Sequence, residues 1–392
     1  MSLNLDKSGW KRVALGDVIR HVTDRVDPET SGLERFLAGE HIPSNSLHIT
    51  DWGVIGRDPI GPMFYKRFRP GHVLYVSRRS YLRKTAVPDF EGITGEKTFV
   101  LETCDPSILL QEFMPFLLSS ELFHFYAVAN SRGSVNPYIN WTDLANYQFD
   151  LPPIHEQERI AAILWMTEDA VRVARHVKNC ATAAVRELGS SLLSRFEWRA
   201  SLGDVLTGIA AGRSLPGSSA PARDGKYGVL KVSAIGEEGF IAAENKELLD
   251  QRGFSSECQI FGGDLLVTRA NTSAYVGRSC IVPADHPNLM LSDKTLRLDV
   301  REAVVTRSFV YEYLQVPRTR AEIASVATGT GAAMKNISQK DVRRLAFPAI
   351  PLTDQARFLE KMAQARAAVV CAQRDVDNAR ELQARLLQEV CQ

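Results

Sequence analysis

Cysteine is scarce and scattered in this chain. Cys104, Cys180, Cys258, Cys280, Cys371 and Cys391 are the only six in 392 residues, and no two lie close together. That distribution excludes a disulfide framework and a zinc ribbon, and it predicts reduced thiols in a cytoplasm. No run of 18 apolar residues occurs, so no membrane span is expected. Residues 1–9 are polar and lack the apolar stretch of a secretory signal. Net charge is nearly absent as well: 47 Lys and Arg against 46 Asp and Glu leave +1. A nucleic-acid surface on such a chain has to be local rather than global.

Catalytic signatures are also missing. The eight histidines show neither metal-ligand spacing nor pairing with a nucleophile. Gly329-Thr330-Gly331 lacks the Gly-Lys-Ser/Thr ending of a nucleotide-binding loop. Asn136-Pro137-Tyr138 is one proline short of an amino-methyltransferase loop, and no glycine-rich strand-turn-helix precedes it. Pro88-Asp89 with Glu96-Lys97 has Glu and Lys adjacent, where a metal-dependent nuclease separates them by one residue. No cofactor, metal or active site is therefore expected in this chain.

What the chain does contain is a fold-forming composition, 45% apolar and 24% charged, long enough for two domains with a core each. It also contains itself twice. Leu151-Pro152-Pro153-Ile154-His155-Glu156-Gln157-Glu158-Arg159-Ile160 returns as Ile350-Pro351-Leu352-Thr353-Asp354-Gln355-Ala356-Arg357-Phe358, with Gln157 and Gln355 separated by 355 − 157 = 198. Leu15-Gly16-Asp17-Val18 returns as Leu202-Gly203-Asp204-Val205, Gly71 to Val76 as Gly263 to Thr268, Lys97-Thr98 as Lys294-Thr295, and Ile139 as Ile337. Five matches in one order mark two copies of one module.

Each copy divides into a mixed region and a helix. Short β-branched or aromatic pieces bounded by Gly, Pro and Asp predict strands over 72–77, 98–102, 264–268 and 295–298. After each proline-anchored phrase, apolar residues recur at spacings of three and four. They run from Ile160 through Leu164, Val171 and Val185 to Leu192, and from Phe358 through Met362, Val369 and Val376 to Val390. Such a seam predicts a helix of about forty residues, about 60 Å at 1.5 Å per residue. Prolines 152, 153 and 351, with Glu156, Glu158 and Asp354 in the first turn, suit the helix starts. The expected fold class is α+β. Two pseudo-repeated mixed α/β regions, 1–150 and 196–349, alternate with helices at 151–195 and 350–392 that run antiparallel as a coiled-coil spacer.

These residues closely resemble the specificity subunit of type I restriction-modification systems, over essentially the whole chain. The Leu-Pro-Pro-Ile-His-Glu-Gln-Glu-Arg-Ile phrase carries most of the likeness, and its second copy departs mildly, with Asp354 for Glu and Phe358 for Ile. The resemblance implies a non-catalytic reader of double-stranded DNA. Each mixed region would be a target recognition domain for one half of a bipartite sequence, and the helices would set the gap between halves. Two modification subunits carrying S-adenosylmethionine, and a restriction/translocase subunit, would be the partners. A protein-only coiled-coil adaptor with degenerate recognition domains is the alternative.

DNA contact needs cations for phosphates and planar donors for base edges. The densest stretch is 66–84, with Lys66, Arg67, Arg69, Arg78, Arg79, Arg83 and Lys84 and no acidic residue. Its second-copy counterpart offers Arg269, Asn271, Tyr275 and Arg278, a less basic and more amide-rich set. The recurrent Lys97 and Lys294 are further candidates. So are the polar glycine-bearing loops before each helix, with Arg132, Asn136 and Tyr138 in the first copy and Thr330 and Lys335 in the second.

Overall fold

The computed structural model describes residues 2–237, 239–329 and 334–391. It divides into two units: Met1–Lys178 with Ala372–Gln392, and Asn179–Cys371. No helix among the described residues is long and apolar enough to cross a membrane.

In the first unit, Lys11–Ala14 pairs antiparallel with Gln148–Leu151, so the start of the mixed region is closed by its end. The Leu-Gly-Asp-Val motif sits at this closure for reasons that its residues supply. Leu15 is fully buried, and its N–H donates to the Tyr147 carbonyl at 2.8 Å. Asp17 accepts from the Ala14 N–H and holds the turn. A Cβ on Gly16 would stand 2.8 Å from that of Ala145, a separation that admits only glycine. The second unit repeats the device. Leu202 N–H donates to Leu345 at 2.8 Å, Asp204 accepts from Ser201 N–H at 2.8 Å, and Gly203 abuts the Arg343 backbone.

Two four-stranded sheets follow in each unit. The first unit has an antiparallel sheet in the order Ile19–Val22, Thr98–Thr103, Val73–Val76, Thr85–Ala86. The second has Leu206–Ala211, Thr295–Val300, Leu265–Thr268, Ser279–Ile281 in the corresponding places. The expected strands are all present, shifted by two residues at most. A further sheet runs Gly53–Val54, Arg35–Leu37, Gly92–Gly95, Phe64–Phe68, its middle pair parallel. Its counterpart is Asn245–Glu247, Gly228–Leu230, His286–Met290, Gln259–Ile260, again with a parallel middle pair.

The helices are Ile154–Leu193 and Leu352–Cys391, 40 residues each. The glutamine of the doubled phrase fastens each helix to its mixed region. Gln157 is fully buried; its Oε1 accepts from Leu110 N–H, and its amide donates to the carbonyls of Ile108 and Pro152, all at 2.8 Å. Gln355 makes the same three bonds, with Thr306 N–H, the Val304 carbonyl and the Ile350 carbonyl. In the first unit Glu168 receives Gln383 Nε2 at 2.7 Å, and Ile160 and Leu164 share a core with Leu386 and Val390. In the second unit Gly189 packs beside Met362, and Val185 and Leu192 share a core with Phe358 and Met362.

Candidate nucleic-acid interface

One backbone junction organises the candidate residues of each unit. Ser77 N–H donates to the Lys97 carbonyl at 2.8 Å, and Ile139 N–H donates to the Ser77 carbonyl at 3.0 Å. In the second unit Arg269 N–H donates to the Lys294 carbonyl at 2.8 Å, and Ile337 N–H donates to the Arg269 carbonyl at 2.9 Å. Three stretches far apart in sequence are thereby tied at one point: the loop after the central strand, the recurrent lysine, and the glycine-bearing loop before the helix.

In the first unit this junction gathers Arg78, Arg79, Lys97, Arg132, Asn136 and Tyr138. Arg78 and Arg132 both form β-bridges with Tyr138. Arg79 adopts φ 54°, and its Nε donates to Asn136 Oδ1 at 2.8 Å. Lys97 Nζ stands 4.8 Å from the Tyr138 ring centroid, and Arg132 pairs with Asp143 at 3.0 Å. Among the described residues Arg78 has no carboxylate partner, and Arg79 has only an amide.

The rest of the dense basic stretch faces elsewhere. Lys66 is 5% exposed; its Nζ donates to the carbonyls of Glu96 at 2.7 Å and Thr98 at 2.9 Å, out of reach of a phosphate. Burial pushes its pKa down to about 8 and that of neighbouring His21 down to about 4. Arg67 is bound by Glu91, Arg69 by Asp24 at 2.8 Å, and Arg83 by both oxygens of Glu121. Lys84 donates to the Gly39 carbonyl. The stretch 66–84 contains no acid, but two loop residues, Asp24 and Glu91, and the helix residue Glu121 supply one to each of these three arginines. Lys66, expected among the DNA contacts, is corrected to a buried clamp on two carbonyls, and Arg67, Arg69 and Arg83 are paired rather than free.

The second unit is richer than its sequence suggests. Asn271 lies opposite Lys335 in a short antiparallel pair, and Lys335 Nζ donates to the Gly329 carbonyl at 2.9 Å. Arg269 Nη1 reaches the Asp293 carbonyl at 3.5 Å, and Lys294 pairs with Asp293 at 2.9 Å. The Arg278 guanidinium stacks over Tyr275 at 4.1 Å. Thr330 lies outside the described residues. Asn271, Tyr275, Arg278 and Lys294 line a concavity of about 760 Å³, joined by Arg213, Lys231 and Lys246. Those last three were missed because they lie singly in the sequence; the fold assembles them. One local signal was present, Gly212 ahead of Arg213. A Cβ there would fall 1.8 Å from the Leu291 carbonyl oxygen, so only glycine lets this strand end press against its neighbour. Among the described residues Arg213, Lys246 and Arg278 have no carboxylate within 4.0 Å, and no cluster could hold a metal ion.

Residues 64–178 match the family described as Type I restriction modification DNA specificity domain. Over those residues the chain is similar to a type I specificity domain. That segment includes the first unit's junction and the first 25 residues of its long helix. The chain is 27% identical over 165 residues to the EcoEI specificity subunit of Escherichia coli, spanning 42% of this chain and 28% of that protein. It is 22% identical over 200 residues to the HindI specificity subunit of Haemophilus influenzae, spanning 48% and 42%. The chain thus matches less than half the length of either relative. Among solved structures, a chain of a type I restriction-modification system aligns with TM-score 0.55 and 21% identity, covering 98% of this chain and 97% of that one. The type I S subunit from M. genitalium aligns with TM-score 0.50 and 14% identity, covering 100% and 99%. At these identities the structural likeness bears on the fold alone.

Proposed function

We propose that this chain is the DNA-reading specificity subunit of a type I restriction-modification complex. Its two recognition domains, 1–150 and 196–349, each read one half of a bipartite double-stranded site. The helices, 151–195 and 350–392, act as a coiled-coil spacer that sets the unread gap and docks two modification subunits. Methyl transfer from S-adenosylmethionine belongs to those partners, and cleavage to a restriction/translocase subunit; this chain contributes recognition and no catalysis, in the cytoplasm.

The observation that carries this reading is the matched junction with mismatched side chains. An identical backbone frame at residues 77 and 269 presents Arg78, Arg79, Asn136 and Tyr138 in one unit. The other unit presents Arg213, Asn271, Tyr275, Arg278, Lys294 and Lys335. A common frame with different donors is what two different half-sites require: arginine forks suit guanine, amides suit adenine, and lysines suit phosphates. Arg67, Arg69, Arg83, Lys84, Arg132 and Arg269 remain in the proposed set as phosphate contacts that DNA would have to win from their present partners.

Exchange of residues 1–150 for another specificity subunit's domain tests the reading, with methylated genomic DNA sequenced from a host carrying the complex. One half of the methylated sequence is expected to change and the other to persist. Change in both halves, or in neither, refutes modular reading. A chain that captures partners but never shifts DNA at low salt, where phosphate contacts are strongest, is instead a protein-only adaptor.

A further inference from the structure

Three arginines of the second unit come together, and among the described residues none of them has a carboxylate within 4.0 Å. Arg186 projects from the first long helix, Arg278 follows the tight turn at Gly277, and Arg320 comes from the helix Pro317–Val326. Arg186 and Arg278 together line a cavity of about 110 Å³, with room for roughly three or four waters at about 30 Å³ each. Arg320 lies beneath the turn; its Nη2 donates to the carbonyls of Val276 at 2.8 Å and Ala274 at 3.3 Å. Its Nη1 is shut off from solvent and has no partner. A Cβ on Gly277 would stand 2.6 Å from Ile323 Cγ2 and 3.3 Å from that nitrogen, so glycine lets the turn close over this helix. Arg278 is held flat against Tyr275.

The acids near this cluster do not quench it. Glu312 is committed to Arg366, which donates to both of its oxygens, and Glu237 stands at the cavity lining. Burial first, and then the charges of Arg278 and Arg186, pull Arg320 below the usual guanidinium range. A buried guanidinium among like charges is costly, and an anion beside them relieves the repulsion.

The first unit treats the matching place differently. In the matching cavity Arg83 is closed by Glu121, Arg380 stands on the second long helix beside Glu168, and the residue 186 + 198 = 384 is alanine. The cluster of Arg186, Arg278 and Arg320 therefore belongs to one unit and does not follow from the shared frame.

We infer that Arg186 and Arg278, backed by the buried charge of Arg320, form an anion seat for a phosphodiester of the bound DNA, flanking the half-site read by the second unit. The inference rests on the DNA-reading function proposed above and adds to it a direct role for the first long helix. A contact of this kind positions the duplex and carries no base information.

The test uses the full chain with its modification subunits and a duplex bearing the methylated sequence, with affinity followed against salt. Arg186→Gln removes an exposed helix side chain, so folding is retained. The variant is expected to lower the slope of log affinity against log salt by about 0.9, one phosphate contact, with roughly tenfold weaker binding at low salt and an unchanged sequence preference. Lys361→Gln removes one charge from an exposed site on the other helix and is expected to leave the slope unaltered. An Arg186→Gln slope equal to wild type, or an equal loss in Lys361→Gln, overturns the seat while leaving the DNA-reading function standing. No salt-dependent binding by wild type sinks that function itself. Inorganic phosphate that raises the melting temperature of wild type but not of Arg186→Gln, with both retaining the same DNA slope, assigns the seat to a free anion and overturns the phosphodiester.

Discussion

Burial decides what individual residues contribute here, and His124 illustrates it. The imidazole is 4% exposed in the helix Glu121–Ala129, and its Nδ1 has no partner. Burial first, and the charge of Arg83 second, push its pKa from 6.5 down to about 4. Between those values the unfolded chain takes up a proton that the folded protein refuses. The stabilisation is therefore complete above pH 6.5 and is lost as the pH falls toward about 4. His124→Gln keeps a donor and removes the titration. Denaturant melts at pH 7 and pH 4.5 should show wild type losing about 2 kcal/mol more than the variant over that interval. Parallel losses would show that the histidine is already protonated in the fold. Lys66 makes a related point about reading charge from sequence: a lysine in a basic run became a buried clamp on two carbonyls.

Among the elements, the long helices and the central sheets were legible beforehand, because their signals are periodic and local. The doubled phrase marked both helix starts to within a few residues; the Leu-Gly-Asp-Val motif was legible only as a repeat, and its place at both closures was not. The sheets built on Arg35–Leu37 and Gly228–Leu230 were not legible: their strands are two to five residues long, too short for a periodicity. Ion pairing between distant segments was equally invisible, since Glu91, Asp24 and Glu121 all lie outside the stretch whose arginines they hold. The buried glutamine explains why the phrase repeats. Gln157→Ala strands Leu110 N–H and two carbonyls at the first helix start, at an expected cost of about 3 kcal/mol, and Gln355→Ala does the same in the second unit. Hydrogen exchange should localise each loss to its own unit; uniform loosening of both would argue against the glutamine as a local fastening.

At the scale of the whole molecule, one chain makes two units by unequal partition. Asn179–Cys371 is continuous, whereas the other unit needs Ala372–Gln392 to join Met1–Lys178. Leu386 and Val390 are buried in that discontinuous core, and Glu389 accepts from the Leu3 N–H. The order of synthesis therefore runs against the order of completion. The segment made first has to wait through translation of the next 193 residues (371 − 179 + 1) before its last helix turns exist. At 5–20 residues per second that interval is about 10–40 s, during which the intervening unit can already close. Nascent chains stalled after residue 371 should yield a protease-resistant fragment from 179 onward while residues 1–178 are digested. Equal resistance of both would mean that the first unit closes without its final strap. A ribosome thus finishes the middle of this protein before its beginning, and an early-terminated product would retain one unit and lose the other.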